Sequence, residues 1–288
     1  MNKKMIVISS ILALGLLSAC GNANKSEHPA GHETGQHQSS TGAEAGGHSG
    51  HGAEAQSAPA NFKASFSFAS GGAKAGENTE LSIQITDKDG KAVGDFEVNH
   101  EKLLHLIIVN KDLSFFNHIH PDFKGNGTFT INTSFPAGGE YKVFADFVPK
   151  GGAATTLSEW KKVEGKAAEP AAVKADTKLV KTVDGKEVEL TLSSMKSKED
   201  VTLTFNINDA QTKKGISNLE PYLGAVGHVV ILSADAEQYI HVHPLDEKAT
   251  GPKAQFATSF PKSGTYKIWG QFQHQGKVLT VPYVVEIK

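Results

Sequence analysis

From about Asn61 onward the chain repeats itself, and that duplication limits its fold more than any other feature. Glu80-Leu81-Ser82-Ile83-Gln84-Ile85 answers to Thr202-Leu203-Thr204-Phe205-Asn206-Ile207. Phe135-Pro136, followed by Tyr141-Lys142-Val143-Phe144 and Phe147, answers to Phe260-Pro261, followed by Tyr266-Lys267-Ile268-Trp269 and Phe272. The register between the copies drifts by only a few residues, so one structural unit occurs in tandem. Inside each copy apolar residues alternate with polar ones, as in Ala64-Ser65-Phe66-Ser67-Phe68 and Val188-Glu189-Leu190-Thr191-Leu192. A period of two is the mark of a half-buried strand, and no stretch shows a convincing helical period. Short strands broken by Gly, Asn, Asp and Pro, in units of about a hundred residues, suit a seven-stranded sandwich. The expectation is an all-β chain with two tandem immunoglobulin-like/cupredoxin-like β-sandwich domains, at 61–165 and 177–288. The segment 166–176, rich in Ala and Lys and containing Pro170, reads as the linker between them. The aromatic residues Phe135, Tyr141, Phe144, Phe147, Phe260, Tyr266, Trp269 and Phe272 read as sandwich core.

The part before the repeats is of another kind. Lys3 and Lys4 precede an apolar stretch from Met5 to Leu17, too short to span a bilayer and of the right length for a signal-peptide core. It ends in Leu17-Ser18-Ala19-Cys20, which resembles the bacterial lipobox at every position. Residues 1–19 are therefore expected to be a lipoprotein signal peptide, and Cys20 the acceptor of the lipid. Palmitate-type acyl chains would then anchor the protein to the membrane on its extracytoplasmic face, since two chains hold far more firmly than one. Cys20 is also the one cysteine of the chain, so neither a disulfide nor thiol redox chemistry is available to the mature protein. From Gly21 to Ala60 there is no Val, Ile, Leu, Met, Phe, Trp or Tyr. Such a segment has no apolar surface with which to offset its ordering entropy, so 20–60 is expected to be a disordered, lipid-anchored linker. Its mean reach would be roughly 35 Å, at about 5–6 Å times the square root of its length. Five histidines dot it: His28, His32, His37, His48 and His51. They read either as weak metal-scavenging positions or as incidental members of a solvated spacer. The chain has no arginine, and its formal net charge is -2. That argues against nucleic-acid binding, which needs clustered basic residues.

One motif inside the repeat carries chemistry. His105 is followed thirteen residues later by His118, then by His120 and Pro121, and His228 is followed at the same spacing by His241, His243 and Pro244. If residues 103–109 and 114–120 form a hairpin centred between Lys111 and Asp112, His105 lies opposite His118. The same construction centred between Ala234 and Asp235 places His228 opposite His241. Directly opposed residues have Cβ atoms about 4.5–5.5 Å apart on one face. His120 and His243, two residues further on, share that face. Three imidazoles per repeat would then converge, and the proline would end the strand without a ladder donor. Three neutral imidazoles suit copper or zinc, with Zn–N bonds of about 2.0–2.1 Å. Asp122 and Asp246, just past the prolines, stand nearest in sequence as oxygen donors. Asp146 of the first copy is matched by Gln271 of the second, so that position does not supply a carboxylate twice. No methionine lies near either trio, which favours copper(II) or zinc over thioether trapping of copper(I). His100 and His274 lack a counterpart in the other copy and read as surface residues.

Glu220-Pro221-Tyr222-Leu223-Gly224-Ala225 leads to Gly227-His228-Val229-Val230, then to Tyr239-Ile240-His241-Val242-His243-Pro244, then to Phe260-Pro261 and Gly264-Thr265-Tyr266-Lys267. This succession resembles exported bacterial β-sandwich proteins grouped near the YtkA-like, copper-handling, cupredoxin-like extracytoplasmic modules. The resemblance covers most of the second copy. It is looser in the first, where Asn99-His100-Glu101-Lys102-Leu103-Leu104 stands in place of the Pro-Tyr-Leu-Gly-Ala stretch. It implies heavy-metal binding, of copper in particular.

The function expected from these readings is a surface-anchored lipoprotein that buffers or relays copper, with zinc as the alternative. His105, His118 and His120 would hold an ion in one repeat, and His228, His241 and His243 in the other. Its partners would be the metal ion, the membrane through its lipid, and metal-handling proteins of the envelope. Ligation needs neutral imidazole, so affinity is expected to fall below about pH 6.5. No acid, base or nucleophile recurs beside both trios, so an enzyme is not expected. The competing reading is a non-metal interaction module that displays sandwich loops to an envelope partner.

Overall fold

The computed structural model describes residues 61–288. The signal segment, Cys20, the linker 20–60 and its histidines lie outside the described residues. Among the described residues every regular element is a strand, and no helix is long and apolar enough to cross a membrane.

The first repeat contains β1 (Phe62–Phe68), β2 (Ala73–Lys74), β3 (Asn78–Asp87), β4 (Phe96–Glu97), β5 (Leu104–Asn110), β6 (Phe116–Ile119), β7 (Asp122–Gly125), β8 (Thr128–Ser134), β9 (Gly139–Pro149) and β10 (Thr155–Glu164). The second contains β11 (Val180–Val183), β12 (Lys186–Leu192), β13 (Asp200–Asp209), β14 (His228–Ser233), β15 (Tyr239–Ile240), β16 (His243–Pro244), β17 (Lys253–Ser259), β18 (Gly264–His274) and β19 (Lys277–Ile287). Each repeat is a two-sheet sandwich. The first pairs a β1-β3-β8-β7 sheet with a β2-β10-β9-β5-β6 sheet, to which β4 adds on β9. The second pairs β11-β12-β13-β17-β16 with β15-β14-β18-β19. The chain is all-β, with two immunoglobulin-like sandwiches in tandem.

Alternation places the two cores. Leu81, Ile83 and Ile85 of β3 face Leu104, Leu106 and Ile108 of β5 and Tyr141, Val143 and Phe147 of β9 inside the first sandwich. Leu203, Phe205 and Ile207 play the part of β3 in the second, against Val229, Ile231, Tyr266, Ile268 and Phe272. In both repeats the buried tyrosine ties the corner before its strand. Tyr141 Oη donates to the Ala137 carbonyl at 2.9 Å, and Tyr266 Oη to the Lys262 carbonyl at 2.8 Å. This is the tyrosine corner of immunoglobulin-like sandwiches.

A third apolar cluster lies between the repeats. Ile107, Val109, Leu113 and Phe144 of the first meet Val230, Leu232, Ala236 and Trp269 of the second. β5 and β14 are thus apolar on both faces, one turned to their own sandwich and one to the neighbour. Phe144 and Trp269, expected inside the sandwiches, pack here instead, and Trp269 stacks on Phe116 with centroids 4.5 Å apart. The polar contacts follow an approximate two-fold pattern. Lys142 of β9 reaches Glu237 of the second repeat at 2.7 Å, and Lys267 of β18 donates to the Leu113 carbonyl of the first at 2.7 Å. The segment 166–176 lies along both repeats. The Ala171 amide donates to Asp112 at 2.7 Å, Val173 packs on the shared cluster, and Asp176 exchanges two 2.8 Å bonds with Val284.

Candidate metal centre between the repeats

The histidines of the first repeat come together by a register different from the one expected. β5 and β6 pair Leu106 with Ile119 and Ile107 with His118, one step further along the hairpin than a centre between Lys111 and Asp112 would give. The reason is the loop, where Leu113 takes a left-handed φ of 57° and Asn110 accepts from the Phe115 amide at 2.8 Å. A shift of pairing by two residues leaves the parity of the strand unchanged, so every side chain keeps its face. His105, His118 and His120 therefore still converge, with one ring nitrogen of each within 4.8 Å of the others.

Their hydrogen bonds identify which nitrogens these are. His105 Nε2 lies 2.9 Å from the Asn99 carbonyl, which accepts only, so the proton of neutral His105 is on Nε2 and its Nδ1 is bare. His118 Nδ1 lies 2.7 Å from Gln271 Oε1, while the Gln271 amide nitrogen donates to Thr280 Oγ1 at 3.1 Å. The proton of His118 is therefore on Nδ1, and its Nε2 is bare. These two bare nitrogens face each other at 3.0 Å, and His120 Nε2 stands 3.2 Å from the same His105 Nδ1. The outer nitrogens of His105 and His118 are held by acceptors while the inner ones converge, which is how metal-bound histidines are oriented by their surroundings.

Burial keeps the rings neutral. His105 is 1% exposed and His118 9%, with His120 at the more open rim. Desolvation, reinforced by repulsion from His105, pushes His118 down to about 3. The same two causes, with Lys102 added, hold His120 at about 3. Desolvation also lowers His105, against the opposing pull of its bond to Asn99. The site has no need of basic pH to present lone pairs.

The second trio does not assemble. β15 pairs with β14 only through Tyr239 and Ile240, whereas β6 runs on to Ile119 beside β5. The chain then crosses to the other sheet, where His243 pairs with Ala257 of β17. His241 leaves the sheet and turns to the first repeat, its Nε2 4.0 Å from Asp146 and 3.3 Å from Thr156 Oγ1. Among the described residues the only group of three ligands close enough to share an ion is His105, His118 and His120. His228 is drawn to that group rather than to its own partners, with ring centroids 4.8 Å from His118 and 5.4 Å from His105. The repeats thus exchange support. The middle histidine of each reaches across to the residue two places past the shared aromatic position of the other, His118 to Gln271 and His241 to Asp146.

His100, expected on the surface, lies 5.4 Å from His228 and 6.1 Å from His105 between centroids. It sits in a two-residue turn closed by Asn99 and Lys102, with His100 at φ 46° and Glu101 at φ 63°. Two successive left-handed residues define a type I′ turn, costly without glycine. The second repeat makes the same turn with Leu223 at φ 56° and Gly224 at φ 79° between Tyr222 and Ala225, so what the first copy's departure from the Pro-Tyr-Leu-Gly-Ala stretch brings in is His100 in the place of Leu223. Asp122 and Asp246 do not turn to the trio. Asp122 pairs with Lys124 at 3.2 Å, and Asp246 accepts from the Lys248 amide at 2.9 Å. His274 lies apart, 3.3 Å from Asn218.

Comparison with known proteins adds the family. No curated protein matches the chain significantly. Among solved structures it is similar to FdeC, described as a broadly conserved Escherichia coli adhesin, at 17% identity and a TM-score of 0.28, over 81% of this chain and 66% of that one. It is also similar to invasin, described as a bacterial integrin-binding protein, at 13% identity and a TM-score of 0.22, over 77% of this chain and 39% of that one. Tandem immunoglobulin domains of titin match at 11% identity and a TM-score of 0.20, over 79% of this chain and 97% of theirs. The chain spans less than two thirds of the adhesin and of invasin. Residues 60–165 and 181–288 each match one family model, described as a domain of unknown function. The chain therefore belongs to the DUF8832 family and carries its domain twice.

Proposed function

We propose that this protein is a surface-anchored metal-binding lipoprotein that buffers or relays copper, with zinc as the alternative, through His105, His118 and His120. One observation carries the reading. Two neutral imidazoles present bare nitrogens to each other at 3.0 Å, each with its proton committed to an outer acceptor. Lone pairs so placed repel, and a cation between them turns repulsion into attraction. Separations of 3.0 and 3.2 Å suit nitrogens bound to one ion at about 2.0–2.1 Å. Neutral imidazole donors without thiolate suit copper and zinc. The lipobox-like segment at Cys20 supports the anchor, and the resemblance to copper-handling extracytoplasmic modules agrees with the ion.

The test is equilibrium binding of copper(II) and zinc(II) to the detergent-solubilised chain at neutral pH, beside His118→Ala. One tightly held equivalent, lost in the variant, is expected. Retention of no ion by the unaltered chain, or equal retention by both, would favour the competing interaction module. For the anchor, Cys20→Ser is expected to release the protein from the membrane fraction, and a variant that stays there would remove that part of the proposal.

A further inference from the structure

We infer that His228, from the second repeat, supplies a fourth imidazole to the ion held by the first, so that metal binding clamps the two sandwiches together. The inference rests on the metal-binding reading above and extends it across the repeat boundary.

The backbone places His228 there for the same reason as His105. Each lies near the start of the strand that faces the neighbouring repeat, β5 or β14. Each is paired with the polar residue of the central strand, His105 with Asp146 and His228 with Gln271. Because β5 and β14 pack against one another through Ile107, Val109, Val230 and Leu232, their histidines meet. The His228 ring lies within 8° of parallel to His105 at 5.4 Å, and 4.8 Å from His118. Those separations are close to the ones inside the trio, which run from 4.8 to 5.3 Å.

His228 Nε2 is wholly buried and has no hydrogen-bond partner. A buried polar nitrogen without a partner is unfavourable, because it has given up water and gained nothing in return. The aromatic rings near it are those of His100, His105 and His118, all histidines. Ligation of the ion that joins the trio satisfies this nitrogen. The repeat that would supply His228 already supplies Gln271, whose Oε1 accepts from His118 Nδ1. Four neutral donors leave the ion its full charge, and the buried side chain of Asp146, 5% exposed and paired with His105 across the strands, offers the nearby compensation. The compact nitrogen group itself comprises the trio, so a small rotation of the His228 ring accompanies ligation.

The experiment counts ligands on the full chain in detergent. Copper(II) at one equivalent is followed by electron paramagnetic resonance and X-ray absorption, and affinity by competition with a chelator, for the unaltered chain and for His228→Phe. Four imidazoles in the unaltered chain, three in the variant, and affinity weaker by roughly ten- to hundredfold are expected, a loss at least as large as that of an outer-shell partner. Three imidazoles in the unaltered chain with unchanged affinity in the variant overturns this inference and leaves the trio standing. No retained ion in the unaltered chain overturns both. The ligand count needs no variant, so a poorly folding His228→Phe does not shield the inference.

Discussion

Replacing Gln271 by leucine removes the acceptor that fixes His118, and its consequences for stability and for binding should separate. The side chain is 5% exposed and bridges His118 Nδ1 at 2.7 Å and Thr280 Oγ1 at 3.1 Å. A buried N–H stripped of its acceptor costs about 1–3 kcal/mol. His118 has a way to reduce that cost. It can move its proton to Nε2 and donate to His105 Nδ1, already 3.0 Å away. The net loss of stability is then near the lower end, about 1 kcal/mol, or about 2–4 °C in melting temperature for a chain of this size. The proton now occupies the lone pair that the ion needs, so affinity should fall by roughly ten- to hundredfold, as for other outer-shell partners. Gln271→Glu keeps an acceptor in place and should retain binding. The assay is chelator competition for copper(II) and zinc(II) beside thermal melts without metal. Affinity of Gln271→Leu within twofold of the unaltered chain would refute the tautomer argument, as would equal losses in the leucine and glutamate variants.

Four further outcomes follow from the same geometry. Acid should weaken the metal-free fold, because unfolded imidazole takes its proton near pH 6.5 whereas folded His118 does not until about 3. The unfolded state binds more protons within that window, so stability is level above about pH 6.5 and declines below it, by up to about 1.4 kcal/mol per pH unit for such a group. Urea midpoints that stay flat from pH 7.5 to 4.5 would contradict the burial of neutral rings. For the same reason ion retention should persist at pH 5.5, where a trio of ordinary imidazoles would be mostly protonated, and a steep loss below pH 6.5 would show that the rings titrate normally. Trp269→Ala should cost about 3–5 kcal/mol in a urea titration, since the indole is 3% exposed between the repeats, and a change below 1 kcal/mol would mean that they do not pack as described. His241→Ala and His243→Ala should each leave affinity within about twofold, because neither belongs to the compact group, and a loss equal to that of His118→Ala would restore a second trio.

Much of the fold was legible because sandwich strands advertise themselves by period and the repeat supplied each strand twice. The shared face of His105, His118 and His120 was legible too, since parity survives a register shift of two. What escaped was the partner. The runs Leu103-Leu104-His105-Leu106-Ile107-Ile108-Val109 and Val229-Val230-Ile231-Leu232 are apolar at every position but one, a pattern that a half-exposed strand cannot afford. Read physically, both faces must be covered, and the second face is where the repeats meet. Once that is known, His105 and His228 have to lie together, and Gln271 has to face a residue of the other copy. The failure of the second trio was not legible at all. It depends on β15 leaving its neighbour after Ile240, and nothing in the polar-apolar pattern of Tyr239-Ile240-His241-Val242 announces that beside Phe116-Asn117-His118-Ile119.

The most direct test of the site is a crystal structure of the copper-loaded protein with anomalous diffraction at the copper edge. A single peak bound by His105 Nδ1, His118 Nε2 and His120 Nε2, with His228 as the fourth imidazole and His118 Nδ1 still bonded to Gln271, is the predicted result. An anomalous map with no peak there, or with the ion seated at His241 and His243, would contradict it.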